Sequence, residues 1–277
     1  MPPNANLEPR ATGLGVKGRA RWNRSAATIL ASAIIVAALA GPFDRAWADP
    51  QADPGSTKGA TPPAPASGFD ATLAALSDYR LDGVSESNRR PTWQANLTYW
   101  RASGLYAGFV LTGVDFQDTP RTPVELDLYA GQQIPIAGYD LNLQFVYITY
   151  PHRRSPGPSY DFIEPEADLA HTFKHLTLKG ALAWSPSYTY GAGEAWSLKG
   201  AASYDITNWL QASGHVGRLW LSKAPSLTNW DVGATATWRR LSLDVRYGGT
   251  DLNSSQCYFT NWCALGASAS LTYRLLP

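Results

Sequence analysis

The sequence predicts an all-β fold, a transmembrane antiparallel up-and-down β-barrel of about 12 strands, on three observations. Apolar and polar residues alternate over stretches of about ten, the connections alternate between short and long, and aromatic residues recur at the ends of the stretches. The composition agrees: 11 Trp and 14 Tyr stand beside a single Met, with 16% charged and 44% hydrophobic residues and a mean hydropathy of −0.23. A polytopic helical membrane protein would need several apolar runs of about 20 residues. A disordered chain would carry more charge and fewer aromatics.

Lys17, Arg19, Arg21 and Arg24 precede an apolar run from Ala26 to Gly41, followed by the A-x-A site Ala46-Trp47-Ala48. This order reads as a cleaved signal peptide over residues 1–48. The other reading is a membrane anchor, for which the run is short. Removing 1–48 takes six Lys/Arg and two acids from the chain's 23 and 22, leaving 17 basic and 20 acidic side chains. That balance points to neither nucleic acid nor an anionic membrane surface. Residues 49–68 are mostly Pro, Ala, Gly, Ser and Thr with little to bury, a flexible leader. The barrel domain is expected over 69–277.

Alternation then sets in. Trp93, Ala95, Leu97 and Tyr99 alternate with Gln94, Asn96 and Thr98, and Val124, Leu126 and Leu128 with Glu125 and Asp127. Extended along the chain, the pattern places strands at 69–79, 92–102, 104–115, 123–133, 139–150, 161–171, 174–185, 194–204, 208–220, 229–238, 241–250 and 263–275. Connections such as Ser103-Gly104 and Arg239-Arg240 are tight, whereas 80–91, 151–160 and 251–262 are long. Short turns at one end and long loops at the other predict an outer-membrane barrel with both termini periplasmic.

A secreted β-sandwich also offers alternating strands, with its apolar residues facing a second sheet. The aromatics favour the barrel. Tyr79, Trp93, Trp100, Tyr139, Tyr150, Trp184, Tyr188, Trp209, Trp220, Trp230, Trp238, Tyr247 and Tyr273 sit at expected strand ends, where girdles at the two membrane interfaces belong. Cys257 and Cys263 are an even pair six residues apart in the last long loop. In an oxidising compartment such a pair forms a small disulfide loop.

The stretch Ser77-Asp78-Tyr79-Arg80-Leu81-Asp82-Gly83-Val84-Ser85-Glu86-Ser87 resembles the opening motif, S-D-Y-R-x-x-G-x-S-x-S, of the TorF porin family of proteobacterial outer-membrane barrels. Gly104-Leu105-Tyr106-Ala107-Gly108, Glu125-Leu126-Asp127-Leu128-Tyr129-Ala130-Gly131, Tyr147-Ile148-Thr149-Tyr150-Pro151 and Trp184-Ser185-Pro186-Ser187-Tyr188 extend the resemblance over about 69–275. The resemblance implies an outer-membrane channel and brings no catalytic residues. Such barrels usually end in an aromatic residue, whereas this chain ends Leu275-Leu276-Pro277.

If the apolar set faces lipid, the intervening charges face inward. Glu125, Asp127, Asp140, Glu164, Glu166 and Asp168 come from one arc of strands, and Lys179, Lys199, His215 and Arg246 from the other. Two readings follow: a transverse field across a water-filled pore, or opposite charges that pair and fill the barrel. His171 and His175 flank an expected turn, which does not suit a metal. Glu164, Glu166 and Asp168 could hold calcium, but two-residue spacing on a strand face equally suits a solvated wall. The first long loop, with Asp82, Glu86, Arg89 and Arg90, either forms an external surface or folds inward to narrow the pore.

The expectation is a passive channel for small hydrophilic solutes, with no cofactor, no metal and no catalytic residue. Its expected partners are outer-membrane lipid, lipopolysaccharide, the barrel-assembly machinery and periplasmic chaperones. The alternatives are a lipid-modifying enzyme, which needs a Ser, a His and an orienting group in hydrogen-bond reach, and a structural or adhesive barrel without an open pore.

Overall fold

A computed structural model describes residues 67–154 and 156–276. The expected signal peptide and the leader up to residue 66 lie outside them. The described residues form β1 (Gly68–Leu76), β2 (Arg80–Leu81), β3 (Val84–Ser85), β4 (Thr92–Trp100), β5 (Leu105–Gly113), β6 (Val124–Ile136), β7 (Tyr139–Thr149), β8 (Phe162–Phe173), β9 (Leu176–Tyr188), β10 (Gly193–Asp205), β11 (Leu210–Leu221), β12 (Leu227–Trp238), β13 (Leu241–Thr250) and β14 (Gly266–Arg274). One 3-10 turn, Thr189–Gly191, follows β9. Twelve strands close into an antiparallel barrel, β1 and β4 to β14 in chain order, with β14 pairing back onto β1. The remaining two, β2 and β3, pair only with each other.

The barrel forms because the period of two continues across every register. Asn96 of β4 pairs with Val110 of β5, Asp127 of β6 with Ile148 of β7, and Lys199 of β10 with Gly217 of β11, all on one face. On the other face Phe69, Leu73, Leu128, Leu143, Leu198, Val216, Val232 and Val245 are 44–56% exposed around the whole circumference. So continuous an apolar belt is stable only against a bilayer core. No helix among the described residues is long and apolar enough to cross a membrane, and strands of 9 to 13 residues have the length for it.

The expected strands are all present, with small differences at their ends. β1 stops at Leu76 rather than 79, because Asp78 and Tyr79 turn away from the wall into the interior. β14 begins at Gly266 rather than 263, because Cys263 and Ala264 belong to the preceding loop. The short connections lie at 101–104, 137–138, 174–175, 206–209 and 239–240. Ala137 and Gly138 both have positive φ, 45° and 96°, the two-residue turn whose twist matches the strands it joins. The opposite end carries loop one (77–91), loop two (114–123), loop three (150–161), loop four (189–192), loop five (222–226) and loop six (251–265).

Candidate functional site: the barrel lumen and the loop inside it

Loop one folds inward, and the side chains of its motif explain how. The Asp78 carboxylate accepts from Arg80 Nε at 2.7 Å and from the Ser85 and Ser87 hydroxyls at 2.6 and 3.2 Å. The Tyr79 amide donates to Ser87 Oγ at 2.9 Å. One acid therefore gathers both arms of the β2–β3 hairpin, so the loop holds its own shape. Gly83, with φ +78°, turns the tip; a Cβ there would lie 2.9 Å from the Gly249 carbonyl oxygen, so only glycine permits the approach.

The loop is tied to the barrel wall at two places, on β6 and on β10. Near its base the Tyr79 hydroxyl donates to Glu125 Oε1 at 2.6 Å, and Tyr150 donates to Oε2 of the same carboxylate at 2.6 Å. At the tip Asp82 meets Lys199 Nζ at 2.8 Å and accepts from the Tyr188 hydroxyl at 3.0 Å. Lys199 stands on β10, six strands round the ring from β4, so loop one crosses the lumen. Burial alone would raise the Asp82 carboxyl; the Lys199 ammonium and the Tyr188 hydroxyl outweigh it and hold the group below its ordinary range. Glu86 is buried, and its Oε2 has no hydrogen-bond partner. Desolvation, with the nearby Glu125 and Asp82, pushes its carboxyl well above the usual value.

The expected aromatic girdle divides into two sets. Trp93, Trp220, Trp230 and Tyr247 at one end, and Trp209, Trp238 and Tyr273 at the other, face outward and are exposed, as interface girdles require. Tyr79, Tyr150 and Tyr188 are buried inside the barrel, and Trp100 packs on Tyr106 at 4.5 Å. Their place at strand ends is correct but their side is not: Tyr150 meets Phe116 of loop two, Tyr188 meets Asp82 of loop one, and Trp100 meets Tyr106 of β5. Phe116 of loop two stacks edge-on against Tyr150, Tyr160 and Tyr190 at 5.3–5.5 Å. Arg153 covers the Tyr160 ring at 4.1 Å. Loops two, three and four thus build an aromatic cluster over the long-loop end of the lumen.

The ten charged positions expected on the pore wall occupy inward-facing sites. Lys179 meets Asp168 at 3.1 Å and Lys199 meets Asp82. Arg246 bonds Asp231 and lies 3.0 Å from Asp244, and His215 Nδ1 lies 3.0 Å from Asp231 Oδ2. Every one of these four basic side chains therefore has an acidic neighbour, which favours the paired reading over a clean division of charge. Asp127 and Asp140 are buried, and Glu164 and Glu166 stand two apart on β8. Acids still predominate on the inner wall: Asp70, Asp205, Asp231 and Asp244 join the six of β6 to β8, against Lys179, Lys199, His215, Arg246 and Arg274.

Sequence reasoning did not find Phe116, Tyr160 and Tyr190, which lie in loops where no alternation reveals a direction. His171 Nδ1 bonds the Gly138 carbonyl at 2.8 Å, and no group of three metal-ligating side chains occurs among the described residues. His215 has an orienting acid in Asp231, yet its Nε2, which would have to take a serine's proton, is 2.9 Å from Asn229 Oδ1.

A family model described as a bacterial protein of unknown function, Gcw_chp, matches residues 60–272. The chain belongs to the Gcw_chp family. No curated protein matches it in sequence. Among solved structures, the KdgM porin in complex with disordered oligogalacturonate superposes with a TM-score of 0.50 at 6% identity, over 74% of this chain and 98% of the porin. The NanC porin gives 0.49 at 10% over 76% and 100%. The COG4313 outer membrane channel from Pseudomonas putida F1 gives 0.49 at 12% over 76% and 95%. At such identities the first of these likenesses speaks to fold alone: this Gcw_chp chain is a porin-like barrel.

Proposed function

We propose that the protein is an outer-membrane channel through which small hydrophilic solutes diffuse passively, with loop one as its constriction and a preference for cations. The observation that carries the reading is the self-braced loop that spans a charged, inward-facing wall between Glu125 and Lys199. A structural barrel has no use for so many buried carboxylates, each of which is costly to desolvate. The excess of acid would attract cationic and dipolar solutes and repel anions. A polyanion such as the oligogalacturonate of the KdgM complex suits this lumen poorly. On the same reading the short-turn end and both termini face the periplasm, after removal of a signal peptide and assembly by the barrel machinery and chaperones, and the chain is a TorF-type porin.

Planar-bilayer recording under a salt gradient tests the proposal. The expected result is a stable ohmic current with a cation-selective reversal potential. Replacing Glu164 and Glu166 by Gln moves that potential toward zero. A silent bilayer together with lipid hydrolysis would mark a barrel enzyme instead.

A further inference from the structure

Loop six is built unlike the other loops. Cys257 and Cys263 are disulfide-bonded, and both are buried. The enclosed ring is tightly wound: the Phe259 amide donates to Ser254 O at 2.7 Å, and the Thr260 amide and hydroxyl both donate to Cys257 O, at 2.9 and 2.8 Å. Tyr258 and Phe259 at its apex both lie in the left-handed region, at φ 54° and 59°, a conformation that non-glycine side chains rarely hold without enforcement.

The end of this ring and the two residues after it, 261–265, turn four of their carbonyls toward loop one. Ser85 N donates to Trp262 O at 3.0 Å, and Arg80 Nη1 to Ala264 O at 3.1 Å. Arg89 donates to Asn261 O at 3.0 Å and to Leu265 O at 3.4 Å. In return the Trp262 indole donates to Asn88 Oδ1 at 3.0 Å. Arg80 and Ser85 also hold Asp78, so the bonds from loop six reach the group that shapes the hairpin. Cys263 sits in the middle of the run, its carbonyl held by the Thr250 amide and hydroxyl at 3.3 and 3.2 Å.

We propose that the Cys257–Cys263 ring is a covalent clamp on the constriction: it holds the 261–265 backbone in the one arrangement that docks loop one, and opening the bond frees the returning arm of loop one, 84–89, inside the lumen. The physical basis is entropy. A 15-residue loop must fix many torsions to present five bonds at once, and a crosslink removes much of that freedom beforehand. Without it the Asp82–Lys199 contact and the Tyr79–Glu125 bond remain, but the arm from Val84 to Arg89 that returns to β4 is loose. A phosphine reductant opens the bond with water, the phosphorus becoming phosphine oxide and the sulfurs two cysteine thiols.

The gating consequence rests on the channel reading; the clamp itself does not, and two measurements separate them. Amide hydrogen exchange compares the full chain with its Cys257→Ser/Cys263→Ser variant, and single-channel recording is run on the same samples. The expected result is at least tenfold faster exchange at Ser85 and its neighbours in 84–89, unchanged exchange in the barrel strands, and a higher mean conductance. Arg89→Ala, with the disulfide intact, gives a smaller shift in the same direction. If the variant does not fold, phosphine treatment of the folded wild type supplies the same comparison. Equal exchange in 84–89 with and without the bond overturns the clamp, whatever the current does. Faster exchange with no current in either form upholds the clamp and removes the channel.

Discussion

Two carboxyl groups in loop one oppose each other in pH. Asp82, held low by Lys199, contributes docking stability above about pH 3.9, the free carboxyl value, and loses it as pH falls through its lower docked value. Glu86, raised by burial, behaves in the opposite way: docking is unaffected by it below about pH 4.3 and weakens as pH rises toward its docked value. Loop one is therefore held most firmly near about pH 4. Glu86→Gln removes the upper dependence and tightens the loop at neutral pH by about 1–3 kcal/mol, read as slower amide exchange in 84–89 at pH 7 and no difference at pH 4. At a second site, Arg246 lies buried between Asp231 and Asp244. Arg246→Ala leaves two carboxylates facing each other with only the His215 ring beside Asp231 and costs about 3–5 kcal/mol, measurable as a lower unfolding midpoint in denaturant.

The strand is the element that separates lipid from lumen, and its two faces are only one residue apart. On β10, Leu198 faces out and is 51% exposed to the bilayer side, while its neighbour Lys199 faces in and pairs with Asp82. Leu198→Arg should cost about 2–4 kcal/mol near the middle of the span, seen as reduced folding into vesicles in urea titrations. The same charge one position along is already carried without loss. Among the loops, the β2–β3 hairpin is the element that composition misrepresents. Its sequence is as polar as an external loop, but Asp78 consumes much of that polarity internally through Arg80, Ser85 and Ser87, so the hairpin enters the barrel with most of its polar groups paired, Arg80 Nη2 and Glu86 Oε2 being exceptions.

At the scale of the molecule, the barrel is a wall closed by β1 on β14 and entered by a loop anchored on β6 and, four strands round the ring, on β10. The two anchors differ in kind. Tyr79 and Tyr150 share one carboxylate of Glu125, whereas Asp82 and Lys199 form an ion pair in reach of lumenal water. Lys199→Met leaves Asp82 without its cation and frees the tip while the base stays fixed. Single-channel current through this variant should be larger and noisier than wild type, with cation selectivity increased because a positive charge has gone.

The sequence by itself determined the barrel. Alternation such as Trp93 to Tyr99 settles which residues face out, since a period of two leaves no other assignment. The alternation of turn lengths settles the strand order, since antiparallel neighbours joined by tight turns must be adjacent. The same parity placed Glu125, Asp127, Glu164, Lys199 and Arg246 on the inner wall. It could not show that Lys199 meets Asp82, 117 positions away in the chain, or that Tyr79, Tyr150 and Tyr188 turn inward. Those contacts depend on where non-periodic loops go, and a loop's path is set by partners brought near only once the sheet has closed. The tertiary structure alone therefore decided that loop one lies within the lumen, that the basic side chains there are paired, and that the disulfide ring stands against loop one.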